Sequence, residues 1–150
     1  MATETWTSPS AWTAAAGTEI NSLASGNAVL CSVAISANTA IFCDLSFKAG
    51  STVTTAAPNN LAFYLYKQGQ DGSTFGDGRF TGAGSAGPPA GNYAVGSMGF
   101  AAAAGTTIVG VLTGIILPPG TSAFVVMNNA GIALPSSCAL YYQTYNRAVA

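Results

Sequence analysis

Between Thr106 and Pro135 the chain reads TTIVGVLTGIILPPGTSAFVVMNNAGIALP, two apolar runs with Pro118-Pro119-Gly120 between them. The first run, ending at Leu117, is β-branched and aliphatic, which suits a pleated, half-buried surface. Proline lacks a backbone N–H and has a fixed φ, and glycine tolerates φ > 0, so the trio ends that run in a turn. The second run alternates: Ser122, Phe124, Val126 and Asn128 point one way, and Ala123, Val125 and Met127 the other. A period of two marks a strand. Asn128-Asn129-Ala130-Gly131 closes it with residues that accept left-handed conformations. The expectation is two consecutive strands as antiparallel neighbours, with Phe124 and Val126 in the core and chemistry on neither.

The same alternation recurs upstream. Ala28 to Ser36 places Val29, Cys31, Val33 and Ile35 inward. Thr39 to Lys48 places Ile41, Cys43, Leu45 and Phe47 inward, with Asp44, Ser46 and Lys48 outward. Leu61 to Gln68 carries bulk on both sides, Leu61, Phe63 and Leu65 against Tyr64 and Tyr66, so one side must meet something other than water. Met98 to Ala104 reads as a short strand of small side chains. Cys138 to Tyr145 reads as a last strand, with Leu140, Tyr142 and Thr144 opposite Tyr141, Gln143 and Tyr145. Thr18 to Leu23 suits a single helical turn with Ile20 and Leu23 on one side. Many short strands with almost no helix predict an all-β fold, a two-sheet antiparallel sandwich. Both tryptophans precede the first strand, so the Cys…Trp…Cys core of an immunoglobulin domain is missing and a jelly-roll-like topology is favoured. The expected organisation is an extended N-terminal arm over residues 1–17 and one sandwich domain over 18–150, with a long Gly-rich loop at 69–97.

Charge and side-chain chemistry narrow the function. Only 6% of the chain is charged, four Lys/Arg against five Asp/Glu, for a net charge of −1; ordinary domains carry roughly a quarter. Such a surface offers little colloidal repulsion and suits a subunit that lives in an assembly. Four cations do not make a phosphate-tracking groove, so no nucleic-acid partner is expected. The N-terminus has neither the basic region nor the apolar core of a signal peptide, and no apolar run reaches the ~18 residues of a spanning helix, so no membrane partner is expected. The chain contains no histidine, which removes the commonest general base, the Ser-His-Asp and Cys-His nucleophile systems and most zinc sites. Cys31, Cys43 and Cys138 lack metal spacing and read as small buried hydrophobes in a reducing compartment, with a Cys31–Cys43 disulfide as the alternative.

The candidate chemistry that remains is weak. Asp71 and Asp77 are the only carboxylates close in sequence, and they sit in a Gly-rich loop, poor support for a glycosidase pair or a calcium site. No enzyme activity, metal or cofactor is expected. The aromatic residues point to contacts instead. Trp6 and Trp12 either fold back on the sandwich or anchor the arm in a neighbour. The tyrosines Tyr64, Tyr66, Tyr141, Tyr142 and Tyr145 suit core packing, a subunit interface or a sugar platform.

Three phrases then occur in order: GTEINSLASGNAV (17–29), LAFYLYKQGQDGSTFGDG (61–78) and LTGIILPPGTSAFVVMNNAGIALP (112–135). Together they resemble a group of small virion structural proteins of tailed phages, in which an "EINSLANG"-like turn follows a short arm, a "DG" loop follows a strand, and an "LPPGxFKFVLxNNxGxxLP"-like hairpin comes near the end. The sequence departs from that pattern at Thr121-Ser122-Ala123 and in the Gly/Pro-rich insertion after Gly78. The resemblance implies a jelly-roll head decoration, or cement, protein without enzymatic activity. Such a protein would be made in the bacterial cytoplasm and carried on the outer capsid surface, with the major capsid protein and its own copies, as a dimer or trimer, for partners. Interface residues expected on that reading are Trp6, Trp12, Tyr64, Tyr66, Phe75, Asp77, Arg79 and Phe80. The alternative is a tail or fibre module binding host glycans through Tyr141 or Tyr142.

Overall fold

The strand at the centre of the architecture is β10, Gly120–Asn129. Its two faces are both buried: Phe124 and Val126 enter the main core, as their alternation predicts, and Ala123 and Val125 are buried on the opposite side. The computed structural model describes residues 4–37, 40–52, 59–76, 78, 80, 84–87, 89, 94–100 and 107–149. The elements are β1 Glu4–Trp6, β2 Thr13–Ala14, β3 Asn27–Leu30, β4 Ile35–Ala37, β5 Phe42–Thr52, β6 Asn59–Lys67, β7 Ser85–Ala86, β8 Ala94–Phe100, β9 Thr107–Ile116, β10, β11 Ala139–Tyr145 and β12 Arg147–Val149. The described residues contain strands and turns and no helix.

Two antiparallel sheets pack as a sandwich. A six-stranded sheet has the order β7-β3-β10-β6-β8, with β4 also paired to β10, and a four-stranded sheet has the order β2-β11-β5-β9. The pairings are nested: β6 with β8, β5 with β9, β3 with β10 and β2 with β11, alternating between the sheets. The chain therefore winds back and forth between the two sheets of the sandwich. This winding corrects one expectation. β9 and β10 are consecutive but not neighbours, because Pro118-Pro119 carries the chain from one sheet to the other. The Pro-Pro pair has no N–H to close a tight hairpin ladder, and Leu117 N–H instead bonds the Ile41 carbonyl at 2.8 Å.

The interior faces supply the core. Cys43, Leu45 and Phe47 of β5 meet Leu61, Phe63, Leu65, Phe124, Val126 and Leu140. Tyr142 packs against the same cluster from the inward face of β11. Ile41 departs from expectation. It precedes β5, gives its N–H to Asn146 Oδ1 at 2.7 Å, and stays exposed at the strand end.

The predicted 28–36 strand is broken. β3 and β4 both pair with β10, but two residues of β10 (Ala123, Phe124) face four of the other strand (31–34). The bulge is held by Glu19, whose Oε1 accepts the Ser32 N–H at 2.5 Å and the Gly17 N–H at 3.1 Å. The three cysteines are buried free thiols, so the Cys31–Cys43 disulfide does not form. Thr18 to Leu23 makes the predicted single turn, with Ile20 and Leu23 buried together.

Over its described part the N-terminal arm folds back on its own chain. β1 pairs with β12, and β2 with β11, so residues 4 to 15 run along the C-terminal strand of the same chain. Among the described residues of the 69–97 loop are β7 and the start of β8. Positions 53–58 of the Thr/Ala-rich connection and 101–104 of the predicted Met98–Ala104 strand lie outside the described residues.

Candidate functional site

The outer face of the four-stranded sheet carries the largest set of exposed apolar side chains. Its make-up follows from register. Cross-strand rows on β11, β5 and β9 run Tyr145–Phe42–Ile116, then Tyr141–Ser46–Val111, then Ala139–Lys48–Val109. Their inward neighbours Leu140, Leu45, Phe47 and Ile115 are buried, which forces these rows to the outside. Trp6, Trp12, Val109, Val111, Ile116 and Tyr141 are each between 41% and 68% exposed.

The face has two unlike ends and a polar waist. At one end Trp6 meets Phe42 and Tyr145 edge-on, with ring centroids 5.5 and 5.7 Å apart, and Phe42 stacks on Tyr145 at 5.7 Å. At the other end Trp12, Ser46, Lys48, Val109 and Tyr141 line a shallow hollow of about 270 Å³. Between them lies Asp44. Its Oδ1 accepts the Gly114 N–H and the Tyr145 hydroxyl, both at 3.0 Å, and its Oδ2 accepts Gln143 Nε2 at 3.0 Å. Gly114 reaches it through a bulge: Thr113 and Gly114 together oppose Asp44, and Gly114 has φ +72°. Burial, together with the bond given to Asp44, pushes the Tyr145 phenol above its ordinary pKa. Asp44 is therefore engaged within the face, which also carries exposed Lys48 and, opposite Trp6 in the β1–β12 register, Arg147.

The sequence-predicted interface residues divide sharply. Trp6 and Trp12 lie on this face. Tyr64, Tyr66, Phe75 and Phe80 lie on the other side of the molecule, against the outward side of β10 and β6. There Tyr66 and Phe80 are buried with Ala28 and Val125 in a second small core, with Tyr64 and Phe75 half-buried around them. Tyr66 and Phe80, expected at an interface, are thus covered by this chain itself. The cause is the chain after β6, which folds back so that Gly76 N–H bonds the Lys67 carbonyl and Gly69 N–H bonds the Thr74 carbonyl. Phe80 then lies 6.2 Å from the Tyr66 ring. Asp77 and Arg79 lie outside the described residues.

Asp71 is committed to that fold-back. It accepts the backbone N–H groups of Ser73 and Thr74 at 3.1 and 3.0 Å, and the hydroxyls of both. These bonds, the Thr74 hydroxyl foremost, hold its carboxyl well below the usual carboxylate range. Among the described residues no three His, Cys, Asp or Glu come together as a metal site.

Val109, Val111 and Ile116 were missed in the sequence, because β9 is apolar on both faces. Only its pairing with β5, whose outward residues are Asp44, Ser46 and Lys48, tells its two sides apart. The arrangement is suited to burying apolar surface rather than to bond chemistry. No family model, curated protein or solved structure matches this chain.

Proposed function

We propose that the chain is a capsid decoration, or cement, protein of a tailed bacteriophage. On this reading it is not an enzyme; it sits on the outer surface of the head and stabilises contacts between major capsid subunits. The observation that carries the reading is the outer face of the four-stranded sheet, where among the described residues six large apolar side chains stand exposed. Contiguous apolar patches of this kind mark interaction sites. On a chain with net charge −1, they favour a protein that functions inside an assembly. The nested sandwich and the three phrases quoted above support the same reading. The mechanism is mechanical: modest contacts repeated by capsid symmetry act as a multivalent clamp. The test mixes purified protein with capsids that lack it. Saturable binding and a higher shell-rupture temperature are expected. Failure to bind any capsid form overturns the reading.

The hollow between Trp12 and Tyr141 favours one second reading, a tail or fibre module stacking host glycans on these rings. It predicts retention on host polysaccharide that is lost in Tyr141→Ala. It also predicts a few copies per virion, whereas a cement protein is present in hundreds. Tyr142 has no part in it, since that ring faces the core.

A further inference from the structure

We propose that the outer face of the four-stranded sheet is occupied by a second copy of this chain, stacked antiparallel about a two-fold axis. The inference deepens the assembly reading above but does not need a capsid. The axis lies between the two faces and crosses the strands near Asp44 and Ser46.

Three observations select this occupant. The first is area. The exposed parts of Trp6, Trp12, Val109, Val111, Ile116 and Tyr141 sum to roughly 700 Å², close to the ~800 Å² per partner of a standard interface. The second is shape. The hollow lies at the Lys48–Val109 end, and the most exposed side chains, Ile116 at 68% and Trp6 at 63%, stand at the Phe42 end. A two-fold axis across the strands exchanges the ends and keeps the lateral order of strands. It sets Ile116 over Val109 of the second copy, and Trp6 toward the hollow beside Trp12 and Tyr141. Face-to-face stacking of sheets at about 10 Å is the ordinary way such surfaces pack. The third is charge. Lys48 and Phe42 are six residues apart on β5, three to either side of the axis, so Lys48 of each copy meets the Trp6–Phe42–Tyr145 cluster of the other. An ammonium over aromatic rings is an attractive contact.

The test is sedimentation equilibrium of the full chain without capsids, on wild type, Val111→Glu and Ile116→Lys. These positions are exposed, so near-UV circular dichroism and melting should report intact folding of the variants. The wild type is expected to be a dimer, and each variant to raise the dissociation constant about a hundredfold. A second measurement fixes the geometry. The native thiols are buried, so Ser46→Cys, beside the axis, should be joined to its counterpart by a bifunctional thiol reagent spanning about 10 Å, and Ser73→Cys on the opposite loop should not. A monomeric wild type, or a dimer indifferent to both substitutions, overturns the proposal. If the face is shielded from labelling only on capsids, its occupant is a capsid subunit and the two-fold dimer is wrong. Dimerisation without capsid binding leaves this inference standing and removes the cement reading.

Discussion

The side-chain amide of Asn128 donates to the backbone carbonyl of Leu23 at 2.7 Å, tying the end of β10 to the turn that precedes β3. The same nitrogen reaches the Ile132 carbonyl at 2.8 Å, and Oδ1 accepts the Ala130 N–H at 2.8 Å. Around this bond Leu134 N–H meets the Leu23 carbonyl, Gly26 N–H meets the Asn128 carbonyl, and Cys138 N–H meets Asn21 Oδ1. The EINSL and NNAGIALP phrases are thus two halves of one clamp.

Asn128 is fully buried with its amide satisfied. Asn128→Ala would deprive the Ala130 N–H and the Ile132 carbonyl of their partner, leave the Leu23 carbonyl with the Leu134 N–H alone, and should cost about 2 kcal/mol. Urea unfolding followed by circular dichroism checks this; a loss under ~1 kcal/mol would show that water replaces the amide without penalty.

Gly76 lies against Tyr66. A Cβ there would stand 2.4 Å from Tyr66 Cδ2, at a backbone φ of +59°. Gly72 has a similar φ of +69° but nothing within 4 Å. The pair separates conformation from contact. Gly72→Ala should cost about 1 kcal/mol, the strain of a left-handed non-glycine residue, and Gly76→Ala about 2 kcal/mol more, because the ring must move. Equal losses in thermal unfolding would mean that the fold-back shifts freely and does not pack the second core.

The alternation of Phe124 with Val126, and of Cys43, Leu45 and Phe47, was legible because each strand has one apolar interior side. Polar outward neighbours such as Asp44 and Lys48 reveal the register. Tyr66 and Phe80 were not legible as core, because the layer covering them is a loop whose path depends on Asp71 and Gly76, not on any periodicity. Val111 was not legible as surface, since a strand apolar on both sides has no internal sign of which face a partner will take. The candidate site was therefore half visible. Its tryptophans stand out in the sequence, and its valines and isoleucine appear only once β9 is set beside β5.

Ser122 is buried in β10, and its Oγ has no hydrogen-bond partner among the described residues. A buried hydroxyl without a partner costs desolvation and returns nothing. Ser122→Ala should therefore raise stability, by about 1 kcal/mol. A loss of that size in denaturant unfolding would reveal a partner and reverse the assignment.

Glu19 sets the acid limit of the fold. Partial burial opposes its ionisation, but the N–H groups of Ser32 and Gly17 outweigh it and bring the carboxyl below its ordinary 4.5. A carboxyl depressed in the folded state adds stability that is fully present above its unfolded pKa and is lost as pH falls through the folded value. Stability should be flat near neutrality and decline below pH 4.5, the bulge at 31–34 loosening as the carboxylate is protonated. Glu19→Gln keeps an acceptor oxygen and removes the charge. At pH 7 it should lose about 1 kcal/mol, the difference between a charge-assisted and a neutral hydrogen bond. As pH falls through the folded Glu19 pKa the gap to wild type should narrow, since both side chains become neutral. Asp71, also held low by its turn, remains in both proteins, so the difference between the two pH profiles isolates Glu19. Parallel profiles of wild type and Glu19→Gln from pH 7 to pH 3 would place the acid sensitivity elsewhere.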